Sequence, residues 1–357
     1  MLGILTRATL YGAALILGWA SLGAAQELDI FSPRRTAISP DGKQIALANS
    51  SQGVLIFDAR KGTLLHKIPQ AGNAEGVCFH PTKPLLYWGD FVDRTDVKDP
   101  VASILRCGEL SEGKYQEKWT TRINGRCSSM AFAKEADSLI VIGCYGNTVF
   151  VDPNNGKLVR IWQEMGNGIR DVAISDDGKK LALAGQALGI YRLQFNDLTG
   201  EEANFQTDEA YRKRVNDKYL IRKQGGADLV VHRPDTKEVI AKGIYGSDGG
   251  KSVDVCRFDL ETGKLVGWVS KTQQDATCLA CFHDGNRLVI GHESGILEIW
   301  NVPDGKLLKS FSVQMMGPIR SIAFAEDETA IAVCDAFGKN LALVNLADGA
   351  VKWSVTP

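Results

Sequence analysis

Charge of either sign is nearly absent as an excess: 41 Lys and Arg stand against 42 Asp and Glu, a formal charge of -1. Binding to phosphate backbones needs a concentrated positive surface, so this balance argues against a nucleic-acid protein. Aromatic residues make up only 8%, yet with 37 Gly, 44% hydrophobic residues and no long polar tract the chain is neither disordered nor collagen-like. Long apolar runs are missing too. No segment beyond residue 25 is apolar for 18 residues, so no later helix is expected to cross a membrane. Histidines number five and scatter, which argues against a histidine-held metal. No Gly-x-Ser-x-Gly elbow occurs. The 357 residues suffice for one large or two ordinary domains.

The first 25 residues stand apart. Arg7 is the only charged residue before Glu27, and Leu10 to Leu22 is an apolar run too short to span a bilayer comfortably. It ends in Gly23-Ala24-Ala25, the small residues a signal peptidase requires, so cleavage is expected after Ala25 and the mature chain is expected to be exported, periplasmic or secreted. An uncleaved anchor is the alternative. No cysteine sits at the junction, so a lipid anchor is not expected. Export allows disulfides among the eight cysteines, which here supplement a core rather than replace one.

Internal repetition organises the rest. Thr36-Ala-Ile-Ser-Pro-Asp-Gly-Lys-Gln-Ile-Ala-Leu-Ala48 recurs as Val172-Ala-Ile-Ser-Asp-Asp-Gly-Lys-Lys-Leu-Ala-Leu-Ala184. Each reads as strand, tight turn, strand, with Asp-Gly supplying the turn. Weaker copies begin at Val77, Met130, Leu229, Ala280 and Ile322, making seven. After each comes a strand ending in Asp or Asn and then a Gly turn, as in Phe57-Asp58 to Gly62, Phe258-Asp259 to Gly263 and Trp300-Asn301 to Gly305. Four short strands per unit of roughly 40 to 50 residues is the period of a propeller blade. The expected fold is therefore all-β, a seven-bladed β-propeller with blades at 34–68, 75–119, 126–162, 169–224, 227–269, 276–311 and 318–355. Eight blades is the alternative count. Blade four is overlong, with an inserted loop at about 201–217 and an outer strand at Lys218 to Gln224, or else at Glu201 to Gln206.

The Ser39-Pro-Asp-Gly-Lys43 turns and the Trp300-Asn301 and Phe57-Asp58 strand ends resemble the WD40 and YVTN family of β-propellers, over essentially the whole mature chain. The Gly-His pair and a complete Trp-Asp are missing, which marks a divergent, bacterial-type exported form. That resemblance implies a fold and a tendency to bind partners, not one activity. The expectation is a monomeric, non-catalytic interaction scaffold for a protein or peptide partner, an acidic one included, without nucleic acid or a cofactor. The alternative is a propeller hydrolase or lactonase with its site at the channel mouth.

Aligning the blades two residues before the first core position gives a ring of Arg34, Glu75, Ser128, Arg170, Ala227, Cys278 and Arg320. A lactonase-type metal needs converging oxygen ligands, and only Glu75 offers one there. Arg34, Arg35 and Arg320 fall on neighbouring blades, with Arg170 across the mouth, and are expected to hold a carboxylate or phosphate of a partner. The stretch from Tyr211 to Lys223, including Arg212, Lys213 and Arg214, is the steepest local charge and a second candidate surface.

Cys278 and Cys281 are i,i+3 in a strand, facing opposite sides, and lack the further ligands of zinc and the following His of haem attachment. Cys281 is aligned with Ala37, Ala173 and Ala323 as a small core residue. In blade three, residues summing to 271 face each other, pairing Phe132 with Leu139 and Cys127 with Cys144, within reach of a disulfide. His80, His232 and His283 are expected at equivalent turns, and Trp119, Trp162, Trp268 and Trp353 at equivalent inter-blade positions. Asn49-Ser50-Ser51 would accept a glycan only in a eukaryotic secretory pathway.

Overall fold

The computed structural model describes residues 35–69, 73–93, 101–111, 114–132, 140–144, 147–162, 169–187, 190–197, 220–224, 226–244, 254–271, 276–313 and 317–357. They form seven antiparallel four-stranded sheets, each built from consecutive strands. Blade one runs from Thr36 to Ile68, blade two from Asn73 to Asn124, blade three from Cys127 to Trp162 and blade four from Ile169 to Gln224. Blades five, six and seven run from Gly226 to Ser270, Ala276 to Ser312 and Ser321 to Val355. The first strand of each blade touches that of the next, and blade seven's touches blade one's, so the ring closes at seven with these strands innermost. Blade two departs most from expectation: its last two strands, Val101–Ser111 and Lys114–Asn124, have 11 residues each. The outer strand of blade four is Leu220–Gln224, paired with Ile190–Asp197.

The repeat's turn chemistry explains the hairpins. Asp41 Oδ1 accepts from Ser39 Oγ at 2.7 Å and from the Lys43 amide at 3.1 Å, while Ser39 Oγ accepts from the Gln44 amide at 2.9 Å. Blade four repeats this with Ser175, Asp177, Lys179 and Lys180 at 2.6, 3.0 and 2.9 Å. Gly42 and Gly178 take φ of 65° and 69°, the left-handed region that side chains resist. In blade five the left-handed residue is Asp235, at φ 55°. His80 occupies the Ser39 position of blade two, its Nδ1 accepting from the Thr82 and Lys83 amides. His232 and His283 are not its equivalents: Arg233 pairs with Glu238 at the turn of blade five, and the Phe282 amide bonds to Arg287 as the Ser39 amide bonds to Gln44.

That register also moves blade six by one. Leu279, not Ala280, begins its repeat, so Ala280 takes the small core position and Cys281 matches Ile38 and Phe324. Burial pushes the Cys281 thiol up to about 12, and its Sγ donates to the Arg287 carbonyl at 3.4 Å. Such a thiol carries almost no thiolate at neutral pH.

Trp119 and Trp353 do bridge blades, donating from Nε1 to the Pro153 and Ala59 carbonyls, each at 3.0 Å. Trp268 does not. Trp353 lies opposite Leu343, a place that Gly267 holds in blade five, and Trp268 is shifted one residue outward to 45% exposure. Trp162's side chain lies outside the described residues.

The turn carboxylates set an acid limit. Ser175 Oγ, then the Lys179 amide, hold Asp177 below the ordinary 3.8, and the Thr329 amide and hydroxyl do the same for Asp327. A carboxyl whose folded pKa is depressed contributes its full stabilisation above the unfolded value and loses it as pH falls through the folded one. The urea midpoint is therefore expected to fall below about pH 4, and to fall less steeply in an Asp177→Asn/Asp327→Asn variant. Parallel curves for the two proteins between pH 5 and pH 3 would refute this.

Candidate functional site

The channel mouth, where the innermost strands begin, is built from buried polar side chains that tie neighbouring blades together. Asp171, 7% exposed, accepts from Ser129 Oγ of blade three at 2.7 Å, from the Val172 amide at 3.1 Å and from the Val230 amide of blade five at 3.0 Å. Thr36 and Ser321 do the same at the closure of the ring: the Thr36 amide donates to Ser321 Oγ at 3.1 Å and the two hydroxyls lie 2.9 Å apart. Thr277 Oγ1 donates to the carbonyls of Gly291 and Ile319, linking blade six to the approach of blade seven. These bonds fix the positions of the strands around the mouth.

The structure corrects the ring in two blades. Val230 receives a carboxylate as Thr36 receives a hydroxyl, so blade five's repeat begins at Val230 rather than Leu229. Asp228 and Thr277 then replace Ala227 and Cys278 in the ring, adding a carboxylate beside Glu75. Asp228 is 3.1 Å from Lys242 Nζ, and Glu75, 2% exposed, is paired with Arg126. Among the described residues no three His, Cys, Asp or Glu side chains converge as a metal site.

Arg35 is not an exposed anchor. It is 5% exposed and its Nη1 donates to the Ala74 carbonyl at 2.6 Å and the Ala48 carbonyl at 3.3 Å. Burial lowers its pKa, and the nearby Glu75 charge opposes that shift. It therefore reaches forward to blade two, whereas Arg320 reaches back to blade six, 2.9 Å from Glu293. The two guanidiniums part instead of clustering. Arg320 stays at the mouth, with its side chain 16% exposed against 59% for Glu293, and its Nε has no hydrogen-bond partner among the described residues. Arg170 is half-buried on the innermost strand of blade four. Arg34, Arg212, Lys213 and Arg214 lie outside the described residues.

Arg320 also lines a channel cavity of about 240 Å³, with Asp171, Thr277 and Ser321 as polar wall and Leu229, Ile322 and Phe324 among its apolar residues. One cation and one carboxylate over an apolar lining can orient an amphiphilic side chain. Sequence reading missed Asp171 and Arg126. Asp171 had a signal, since it immediately precedes the repeat, but Arg126 is 51 residues from its partner.

Cys127 and Cys144 are opposed across the strand pair, as expected, although by a different route. Phe132 pairs with Ile140, not Leu139, and a bulge at Gly143/Cys144 restores the Cys127–Cys144 pairing. Cys127 is buried and packs toward Gly89 of blade two. The Cys144 side chain lies outside the described residues.

Residues 245–327, from blade five into blade seven, match the family model of the anaphase-promoting complex subunit 4 WD40 domain. No curated protein matches the sequence. The fold is similar to a chain of hydrazine synthase from Kuenenia stuttgartiensis, at TM-score 0.64 and 16% identity over 89% of this chain and 97% of that one. It is similar also to a chain of the mitotic checkpoint complex, at TM-score 0.65 and 13% identity over 88% of this chain and 90% of that one. With the closed ring of seven four-stranded blades, these likenesses identify the fold as a seven-bladed β-propeller, of which residues 245–327 are similar to a WD40 domain.

Proposed function

We propose that the protein is a non-catalytic interaction scaffold, exported to a periplasm or cell envelope, whose channel mouth holds an acidic segment of a protein or peptide partner. The observation that carries this reading is Arg320: it lines the channel cavity, its Nε has no hydrogen-bond partner among the described residues, and the carboxylate it pairs with there, Glu293, is largely exposed. A partner carboxylate can take Glu293's place at little cost, because an exposed ion pair is worth about 0–1 kcal/mol. Arg34 and Arg170 on the mouth ring and Arg212, Lys213 and Arg214 in the inserted stretch would extend the same preference. The domain type supports protein partners, and one structurally similar chain is itself part of a complex. Export rests on the apolar run from Leu10 to Leu22 and the small residues before Gln26.

The test is capture from an envelope extract with the chain from Gln26 as bait, beside an Arg320→Glu bait. A protein held by the first and lost from the second is the expected result. Equal capture by both removes the mouth from the proposal. Amino-terminal sequencing of the secreted or periplasmic fraction should begin at Gln26, and a chain still beginning at Met1 in the cytosolic fraction alone would refute export.

A further inference from the structure

The junction where blade seven meets blade one is underfilled. Two positions correspond at each described junction: the residue that opens the first hairpin turn of one blade and a residue at or just past the end of the third strand of the next. The amide bonds identify the first set: Phe282 bonds to Arg287 and Ala325 to Ala330 as Ser39 bonds to Gln44. They identify the second set likewise, with Ala59, Leu260 and Leu346 donating to the carbonyls of Lys43, Lys237 and Thr329. Between blades six and seven the pair is Phe282 with Leu346, both in one apolar cluster, and Phe282 also packs on Phe324 with ring centroids 4.5 Å apart. By the same bonds the corresponding positions are Arg233 and Val302 for blades five and six, Ser39 and Leu110 for blades one and two, and Ser175 and Leu260 for blades four and five. Only the closing junction, among those described, has alanine on both sides: Ala325 and Ala59.

A cavity of about 380 Å³ opens at this junction. Its floor is apolar, from Ile38, Ala330 and Leu343 besides the two alanines, and Gly42, Thr329 and six charged residues line the remainder. Of the charges, Lys43 is 3.2 Å from Asp41, and Asp327 accepts from the Thr329 amide and hydroxyl. Arg60 and Lys352 form no ion pair among the described residues, against one rim carboxylate, Glu326, that accepts no hydrogen bond there. The Lys352 charge acts on Asp327, so Arg60 is the least committed cation of this rim.

We infer that this cavity is an anchor pocket for a partner peptide, taking a leucine- or phenylalanine-sized side chain with an acidic residue beside it on the Arg60 and Lys352 side. The volume the closing junction lacks is that of the side chains blades six and seven supply, Phe282 and Leu346. An apolar side chain from outside restores the packing found at the next junction, and its flanking carboxylate meets the two cations. The site is on the turn face of the ring and does not depend on the channel mouth.

Methyl NMR of Ala59, Ala325 and Leu343 in the full chain tests this with three hexapeptide probes, acetylated and amidated. The first is Gly-Asp-Leu-Phe-Asp-Gly. The second has lysines for the aspartates, and the third has serines for Leu-Phe. The first is expected to shift these methyls with Kd on the order of 0.1–1 mM. The lysine probe should bind about fivefold or more weaker, and the serine probe should not bind. Ala59→Leu/Ala325→Phe, which fills the pocket from within, should abolish binding while Tm stays level or rises by about 2 °C. Loss of binding then does not reflect unfolding, and Ala59→Val alone gives a milder filling with a partial loss. No methyl shift in the parent protein at about 5 mM probe, or unchanged binding in the filled variant, would overturn the pocket. Equal binding of the lysine probe would overturn the acidic assignment. Arg320→Glu should leave the shifts as they are, so this site and the channel mouth fail separately.

Discussion

Asp171→Ala is expected to cost the ring about 3 kcal/mol. Its carboxylate bonds to three successive blades: Ser129 of blade three, its own Val172, and Val230 of blade five. Removing it leaves the Val230 amide and the Ser129 hydroxyl, both at residues of 0% exposure, without this acceptor. A buried donor that loses its partner costs roughly 1–3 kcal/mol, and bonds to a charged acceptor lie at the upper end of the range. Asp171→Asn keeps one acceptor oxygen for the Val230 amide and turns an NH2 toward the serine hydroxyl, which can rotate to accept. It should recover more than half the loss. Urea unfolding of the three proteins decides the matter. An alanine variant within about 0.5 kcal/mol of the parent would show that water replaces the carboxylate.

The same residue shows where sequence reading stops. The repeat is legible because its information is local: Ser39, Asp41 and Gly42 close a hairpin among themselves, and Ser175, Asp177 and Gly178 close its twin. Counting such turns predicts seven blades, and the ring has seven. Blade five has no glycine in that turn, so the left-handed position passes to Asp235 and the alignment slips by one residue. Blade six slips because Ala280 and Cys281 are both small, and either fits the core position until the Phe282 amide fixes the register. Bulges before the repeats, as at Ala227/Leu229 and Ala276/Cys278, hide the mouth positions further. An off-by-one there exchanges Asp228 for Ala227 and so changes the apparent chemistry of the ring.

Contacts between blades carry no such local signal. Arg35 is adjacent in sequence to Arg34 and reads as part of a basic rim, yet its guanidinium is turned into the carbonyls of Ala48 and Ala74. The Trp119 and Trp353 seats were readable from their offsets, whereas the one-residue shift that exposes Trp268 depends on the bulge in the outer strand. The alanine pair at the closing junction was invisible for a related reason: Ala59 and Ala325 are 266 positions apart, and neither is unusual until the blades are superposed on their amide bonds.

Glu75→Gln is expected to destabilise the protein by about 3–5 kcal/mol, because it removes the carboxylate of a buried pair and keeps the cations. Glu75 is 2% exposed, and Arg126 donates to it from Nε at 2.9 Å while its guanidinium lies 4.7 Å from the Phe91 ring centroid. A second guanidinium, Arg35, feels both charges: Glu75 favours its protonated form and Arg126 opposes it. Burial already lowers the Arg35 pKa, yet an arginine keeps its proton at any ordinary pH, so the cost cannot be escaped by neutralisation. With glutamine the shape is preserved and only the charge is lost, which separates electrostatics from packing. Arg126→Met in the Glu75→Gln background removes one of the two cations that face Glu75 and supplies an apolar chain over Phe91. The double variant should therefore be more stable than Glu75→Gln alone by about 1–2 kcal/mol, a sign reversal that simple additivity of two damaging changes does not produce. A double variant less stable than either single one would mean that Arg126 serves the mouth through its contacts rather than its charge, and that Arg35 alone is what Glu75 holds in place.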